Sequence, residues 1–155
     1  MSIDMHFRAV PAEEIQEDFN RLTEFMLAAW DKHSEEYASG VSTSISKAFS
    51  HVNDFFTKGS DRGSGPSGPS LLPVYGGRHI EDPAHIDLGF LILDPDQVRV
   101  AAEFLQTPFD TLWKVDGAQL YGWNEAEMKH FHFGLRAFYQ RAASAGHAVI
   151  KVVWA

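Results

Sequence analysis

The sequence predicts a single-domain α+β protein in which a small mixed or antiparallel sheet packs against four to five helices. Apolar and polar residues alternate over residues 2–9 and again over 147–154, which predicts a strand at each end of the chain. Between them, apolar residues recur three and four positions apart, which predicts helices. A chain of 155 residues with 45% hydrophobic residues suits one core. We therefore expect one domain over residues 1–155, with the two terminal strands paired.

The first half of the chain predicts two helices. A long amphipathic helix is predicted over residues 12–37, because its apolar residues fall on one face. They are Ile15, Phe19, Leu22, Met26, Ala29, Trp30, His33 and Tyr37. A second helix over residues 45–57 follows a Ser- and Thr-rich stretch that offers N-caps. Residues 58–70 are rich in Gly, Ser and Pro without periodicity, which predicts a flexible internal loop.

The second half alternates predicted strands and helices. A short strand is predicted at residues 71–75 and a longer one at 86–93. Asp94-Pro95 then combines an N-cap residue with a proline at the first helical position, which predicts a helix start. Asn124 predicts the start of the last helix, and Gly146 its end.

Composition and charge exclude several classes of function. The net charge is -8, and no two basic residues are adjacent, so we expect neither nucleic acid nor anionic membrane as a partner. There is no cysteine, and Asp4 and Arg8 interrupt the apolar run that an export signal requires, so we expect a cytoplasmic protein. Apolar stretches are too short to span a bilayer. No phosphate-binding or dinucleotide motif is present, so no cofactor is expected.

Five segments carry a family resemblance. They are Lys47-Ala48-Phe49, Gly76-Gly77, Leu93 to Val98, Tyr121, and Leu135 to Ile150. In order and spacing this set resembles the YfbM-like family, bacterial domains of unknown function. The resemblance implies an α+β domain and supplies no reaction, cofactor or catalytic residue.

Among the departures from the family pattern, which also include Phe49 and Gly122, two replace an ionisable side chain. Asn53 stands where the pattern has His, and Gln119 stands where it has Glu. Two ionisable side chains of the pattern are therefore neutral here. If the family shares a chemistry built on that His and Glu, we expect this member to have lost it.

A dense polar cluster precedes the strand predicted at residues 86–93. Its two histidines and three carboxylates are His79, Glu81, Asp82, His85 and Asp87. Such groups can hold a divalent ion or pair as acid and base. No known ligand spacing is matched, however, so a polar loop is the simpler interpretation and no metal is expected. Two aromatic residues in a predicted turn, Tyr121 and Trp123, either line a pocket near this cluster or cover the core.

Acidic residues concentrate in the predicted first helix. Residues 11–40 contain eight acidic and two basic side chains. Five of the acids fall on the face opposite the apolar stripe: Glu13, Glu17, Glu24, Asp31 and Glu35. This face is either a solvated surface or a docking ridge for a basic protein partner.

These features support two hypotheses of function. The favoured one is a protein-binding module, of the inhibitor or immunity type, that recognises a basic partner through the acidic face. The alternative is a small-molecule or metal-dependent enzyme that uses the cluster from His79 to Asp87. The chain lacks motifs for nucleophilic catalysis, which favours binding.

Overall fold

A five-stranded antiparallel sheet, covered by helices on both faces, forms the core of the protein. The computed structural model describes residues 3–57, 68–85, 89–113 and 124–154. The strands are β1 (Asp4–Val10), β2 (Ser42–Ser46), β3 (Arg78–Ile80), β4 (Phe90–Leu93) and β5 (Ala148–Trp154). The helices in the described residues are α1 (Phe19–Asp31), α2 (His33–Ser39), α3 (Phe49–Thr57), α4 (Pro95–Phe104), α5 (Phe109–Trp113) and α6 (Glu125–Ser144), with a 3-10 helix at Ala12–Glu14. The predicted single-domain α+β fold is confirmed.

The sheet has the strand order β2-β1-β5-β4-β3, which places the two terminal strands side by side. β1 and β5 pair antiparallel along their whole length, from Asp4 opposite Trp154 to Val10 opposite Ala148. The pairing predicted from the two alternating segments is therefore confirmed. β5 is the central strand, and β2 and β3 form the edges.

Both faces of β5 are buried, because the helices form a layer on each side of the sheet. One layer contains α3 to α6, and its core includes Phe7, Val149 and Phe138. The other layer is formed by α1, whose Leu22 and Met26 pack with residues of β4 and β5. Alternate side chains of β5 therefore point into two different apolar layers. Neither face of the strand is solvated.

The prediction of one helix over residues 12–37 is wrong. The chain leaves the 3-10 helix in an extended conformation, and Asp18 then caps α1 by accepting a hydrogen bond from the backbone N–H of Arg21 at 3.0 Å. α1 ends at Asp31, and Lys32 is not helical. At this break His33 Nδ1 lies 2.8 Å from the carbonyl oxygen of Trp30 in the last turn of α1.

Three strand assignments also differ from the predictions. The Ser- and Thr-rich segment predicted to cap a helix forms β2, which pairs with β1. Residues 71–75, predicted as a strand, form turns, because buried side chains bind their carbonyl groups. β3 lies within the predicted polar loop. The strand predicted at 86–93 is observed over Phe90–Leu93, and residues 86–88 lie outside the described residues, as do 58–67 of the predicted flexible loop.

The predicted helix ends fit the structure well. Asp94 forms a capping box with Gln97 at the start of α4. Asn124 accepts a hydrogen bond from the N–H of Glu127 at 3.0 Å and caps α6. Gly146, which follows α6, has a φ of +69°, a conformation that glycine adopts without strain. Among the helices described, none combines the length and the apolar character needed to cross a membrane.

A partly buried ion pair joins β1 to the α1 and α2 helices. Arg8 donates to Glu36 Oε1 at 2.6 Å and to the carbonyl oxygen of Phe25 at 2.6 Å. Its guanidinium also lies 4.0 Å from the centre of the Phe25 ring. The second carboxylate oxygen of Glu36 accepts a hydrogen bond from Ser42 at 2.8 Å. Only 13% of each charged side chain is exposed, so solvent screens this pair little.

We predict that Glu36→Ala destabilises the protein by about 2–3 kcal/mol, because it leaves the Arg8 charge partly buried without its partner. Urea unfolding at pH 7 measures the change. Glu35→Ala, at the exposed neighbouring position of α2, is the matched control and is expected to change stability by less than about 0.5 kcal/mol. Equal effects of the two substitutions would contradict the assigned role.

His132 lies on α6 inside the apolar layer formed with α3 and α5. It is 1% exposed, and its ring centre lies 6.2 Å from that of Phe56 and 6.0 Å from that of Phe109. In the described part of the chain neither ring nitrogen forms a hydrogen bond of good geometry, although backbone groups of Leu105 and Thr107 lie near enough to favour the protonated ring. Burial, reinforced by the positive charge of Arg136, lowers the pKa of the imidazole.

We predict that His132 makes the fold sensitive to acid. The pKa of His132 is lowered in the folded state. Below the unfolded pKa of 6.5 the unfolded chain therefore binds more protons than the folded chain, and the free energy of unfolding decreases as the pH is lowered. His132→Leu is expected to reduce the loss of stability between pH 7.5 and 5, measured by urea unfolding at both values. His51→Leu, at an exposed site on α3, is the control. An unchanged pH dependence in His132→Leu would refute this role.

Candidate functional site

The structure describes four members of the polar cluster, His79, Glu81, Asp82 and His85, and places them in different local environments. His79 lies in β3, Glu81 is exposed after it, and Asp82 is buried. Asp82 shapes the following turn, since its Oδ1 accepts a hydrogen bond from the N–H of Ala84 at 2.9 Å and its carbonyl accepts one from the N–H of His85 at 2.9 Å. No group of three or more His, Asp or Glu side chains in the described ranges can hold a metal ion.

Three members of the predicted site lie outside the described residues. They are Asp87, Tyr121 and Trp123. Gln119, one of the two departures from the family pattern, also lies there. The other departure, Asn53, is 6% exposed on α3, and its side-chain oxygen has no hydrogen-bond partner in the part of the chain that is described.

His79 lines a pocket together with residues that lie far from it in the sequence. The pocket has a volume of about 180 Å³ and is lined mainly by apolar atoms of β1, β4 and β5. Its polar side chains are Tyr75, His79 and Lys151. Gly89 allows His79 to approach closely, because a Cβ at Gly89 would lie 2.9 Å from Nε2 of the imidazole. The pocket thus forms beside the one cluster residue that lies in the sheet.

Lys151 is the most unusual residue of this pocket. Its side chain is 0% exposed in the central strand β5. Nζ donates hydrogen bonds to the carbonyl oxygens of Leu72 at 2.8 Å and Gly76 at 2.7 Å, which ties the turn at residues 71–76 to the sheet. Burial lowers the pKa of this amine well below its ordinary value. The position of Lys151 between Val149 and Val153 on one strand face was the signal for its burial.

The five acids of the predicted ridge are exposed but do not share a helix. Glu13 belongs to the 3-10 helix, Glu24 and Asp31 to α1, and Glu35 to α2. Glu17 lies in the extended segment and forms an ion pair with Arg78, whose other guanidinium nitrogen binds Asp94 at 3.0 Å. The acidic face of a single helix that the sequence predicts is therefore not formed, because the helix is interrupted at both ends of α1.

A second site is an open groove between α1 and the end of the sheet. It has a volume of about 350 Å³ and is lined by His6, Thr23, Leu27, Trp30 and Trp154. We call this set the aromatic groove. Leu27 is 52% and Trp30 53% exposed, so two large apolar side chains of α1 face solvent here. The burial predicted for Trp30, as a member of the apolar stripe, is therefore wrong.

Ring contacts hold the aromatic groove in shape. The imidazole centre of His6 lies 5.6 Å from the Trp30 ring and 5.9 Å from the Trp154 ring. Trp30 also stacks on His33 at 5.2 Å, and His6 Nδ1 lies 3.3 Å from the Tyr37 hydroxyl. Burial lowers the pKa of His6, which favours its neutral form. The side chains are therefore positioned before any partner binds.

Acidic residues flank the aromatic groove on α1. Glu24 precedes Leu27 by three residues and Asp31 follows it by four, so both lie one helical turn from it. Glu24 is paired with Arg21 at 3.5 Å, but both side chains of this pair are more than 60% exposed. An ion pair of this kind is weak and readily exchanged. The groove thus combines apolar contact area with adjacent carboxylates.

The comparisons with known proteins identify the family. Residues 1–152 match the family described as "Domain of unknown function (DUF1877)". The fold is similar to that in the crystal structure of a protein of unknown function, YfbM from Escherichia coli, with a TM-score of 0.62 and 17% sequence identity. That similarity covers 97% of this chain and 99% of the YfbM chain. No curated protein matches the sequence. The chain therefore belongs to DUF1877, the YfbM-like family that its sequence resembles.

Proposed function

We propose that this protein is a protein-binding module whose recognition surface is the aromatic groove together with Glu24 and Asp31. The observation that carries the proposal is the solvent exposure of Leu27 and Trp30 beside Trp154 in one open groove. Single exposed apolar residues are ordinary, but contiguous ones mark interaction surfaces. Tryptophan in particular contributes a large share of binding energy at protein interfaces.

The shape of the aromatic groove favours a protein segment as its occupant. The groove is open along α1, and its rings are already in mutual contact, so little side-chain ordering opposes binding. A partner inserting an aliphatic or aromatic side chain between Trp30 and Trp154 would cover the exposed rings. That contact would form the centre of the interface, with the polar residues around it as the rim.

Charge indicates the kind of partner. The protein carries a net charge of -8, and Glu24 and Asp31 are exposed next to Leu27. A basic segment would find complementary charge there and would be steered to the groove by the field of the whole protein. An inhibitor or immunity-type protein that neutralises a basic effector is the specific role we propose.

Only part of the predicted acidic ridge enters this proposal. Glu24 and Asp31 lie on the same helix as Leu27 and Trp30, whereas Glu13 and Glu35 belong to other elements. Glu17 is already engaged with Arg78. The contribution of Glu13, Glu17 and Glu35 to partner binding remains a prediction from the sequence.

We predict that Trp30→Ala weakens binding of the partner by about 30-fold or more, as expected for a central tryptophan worth about 2 kcal/mol. The partner is first isolated at low salt by photo-crosslinking from a probe residue placed at Leu27, and its affinity is then measured by calorimetry. Phe133→Ala is the matched control, because Phe133 is 51% exposed on α6, in the opposite layer. Equal losses in both variants, or no crosslinked partner, would refute the proposal.

We also predict a kinetic effect of charge reversal. Glu24→Lys combined with Asp31→Lys is expected to lower the association rate more than it raises the dissociation rate, and to weaken the salt dependence of association. Stopped-flow mixing over a range of salt concentrations measures both effects. Reversal of Glu103 and Glu127, exposed on α4 and α6, is the control. Identical salt dependence in all variants would mean that the carboxylates beside the groove do not steer the partner.

The alternative function, an enzyme that uses the cluster from His79 to Asp87, has support only for its small-molecule form. The observation in its favour is the pocket lined by His79 and Lys151. The metal-dependent form lacks a set of ligands among the described residues. Metal analysis of the purified protein, combined with thermal-shift screening of metabolites, separates this function from protein binding.

A further inference from the structure

We infer that the partner inserts a long basic side chain, of arginine or lysine, into a second pocket on the other side of α1 from the aromatic groove. This pocket has a volume of about 310 Å³ and is lined by residues 14–16, by residues of α1 and by Ile150 of β5. We call it the flanking pocket. The inference rests on the proposed function and deepens it, because it adds a second anchor of stated chemistry to the contact in the aromatic groove.

The inner wall of the flanking pocket is apolar. Leu22 and Ile150 are each 1% exposed, and the partly buried Ile15 and Phe25 pack against the same apolar cluster. Arginine and lysine have a hydrocarbon stem that contacts apolar surface while the charged end stays close to water. A long basic side chain therefore matches this wall better than a compact ion does.

The rim of the flanking pocket is polar and more acidic than basic. Its exposed side chains are Glu14, Gln16, Arg21 and Glu24. Arg21 and Glu24 are 3.5 Å apart and well exposed, so this pair is weak and can open for another cation. Glu14 belongs to none of the ion pairs found in the described ranges. With two carboxylates against one guanidinium, the rim favours a cationic group over an anionic one.

The outer wall of the flanking pocket is held in place from both ends. On one side the N–H of Ile15 donates to the carbonyl oxygen of Ala12 at 3.2 Å, which closes the 3-10 helix. On the other side Glu17 forms its ion pair with Arg78 of β3. The extended segment between these contacts is thus fixed beside α1 before binding, which reduces the entropy cost of binding.

The position of the two sites on α1 predicts the spacing of the two anchors. Phe25 lines the flanking pocket and Leu27 the aromatic groove, and two residues of a helix turn by roughly 200°, so the sites lie on opposite flanks. A partner must therefore cross α1, whose diameter with side chains is about 10–12 Å. In an extended peptide, side chains four residues apart point the same way and are about 13 Å apart. We expect an apolar and a basic side chain at this spacing.

The experiment uses capped, uncharged-ended peptides as probes: Trp-Gly-Ser-Gly-Arg and its reverse. One control replaces arginine with citrulline, which has nearly the same shape and no charge, and a second places arginine next to tryptophan. Binding is followed by NMR through the methyl signals of Ile15 and Ile150. We expect at least one spaced arginine peptide to bind about threefold more tightly than both controls, as for an exposed ion pair, and to shift these signals. Equal affinities, or no shift at Ile15 and Ile150, would overturn the inference.

A charge-neutralising variant tests the rim. Glu14→Gln is expected to remove most of the preference for arginine over citrulline. Glu103→Gln, which makes the same change of charge at an exposed site on α4, is the matched control and is expected to keep this preference. Equal effects of the two substitutions would mean that the net charge of the protein, and not the flanking pocket, attracts the peptide.

Trp30→Ala separates this inference from the proposed function. Peptide binding that depends on Trp30 but not on arginine would retain the aromatic groove and overturn the inference. Binding that depends on arginine and Glu14 but not on Trp30 would support the flanking pocket and refute the groove as the recognition surface. Dependence on all three is the result that we expect, because two linked anchors bind more tightly than either alone.

Discussion

The burial of β5 on both faces is the constraint on which the rest of the structure depends. β5 pairs with β1 on one side and β4 on the other, so its backbone is satisfied within the sheet. Its side chains contact α1 on one face and the α3 to α6 layer on the other. Removing either helical layer would expose an apolar sheet face. The two layers are thus held together by a strand whose residues belong to both.

The sequence predicts those parts of the fold that depend on local chemistry. The alternation in the terminal segments predicts β1 and β5, and the N-caps at Asp94 and Asn124 predict the starts of α4 and α6. These features were predictable because the interactions that cause them involve residues close together in the chain. The fold class follows from them, since terminal strands and amphipathic helices have few ways to bury their apolar faces.

The errors arise where distant contacts override the local pattern. The helical periodicity continues through Lys32, but Glu36 of α2 forms its ion pair with Arg8 of β1, a contact that the pattern does not contain. Residues 71–75 have strand character, yet Lys151 and Tyr139 bind the carbonyl groups that a strand would use for pairing. In both cases the decisive partner lies outside the window in which periodicity is read.

The candidate sites were predictable in part for the same reason. His79 stands out because it is a polar residue in a polar cluster, and the structure places it in a pocket. Lys151 was not selected as a site residue, since the alternation of a single strand does not reveal that helices cover both of its sides. Trp30 was assigned to the core because it lies at the border of the apolar stripe, where a small rotation of α1 decides between burial and exposure.

The two edges of the sheet have a consequence for the behaviour of the protein at high concentration. β3 has only three residues, and its Arg78 is engaged with two carboxylates, while β2 is made largely of Ser and Thr. Short, charged or polar borders are poor templates for adding a strand from another molecule. The apolar strands β1, β5 and β4 all lie between these borders. The strand order thus protects the aggregation-prone segments from intermolecular pairing.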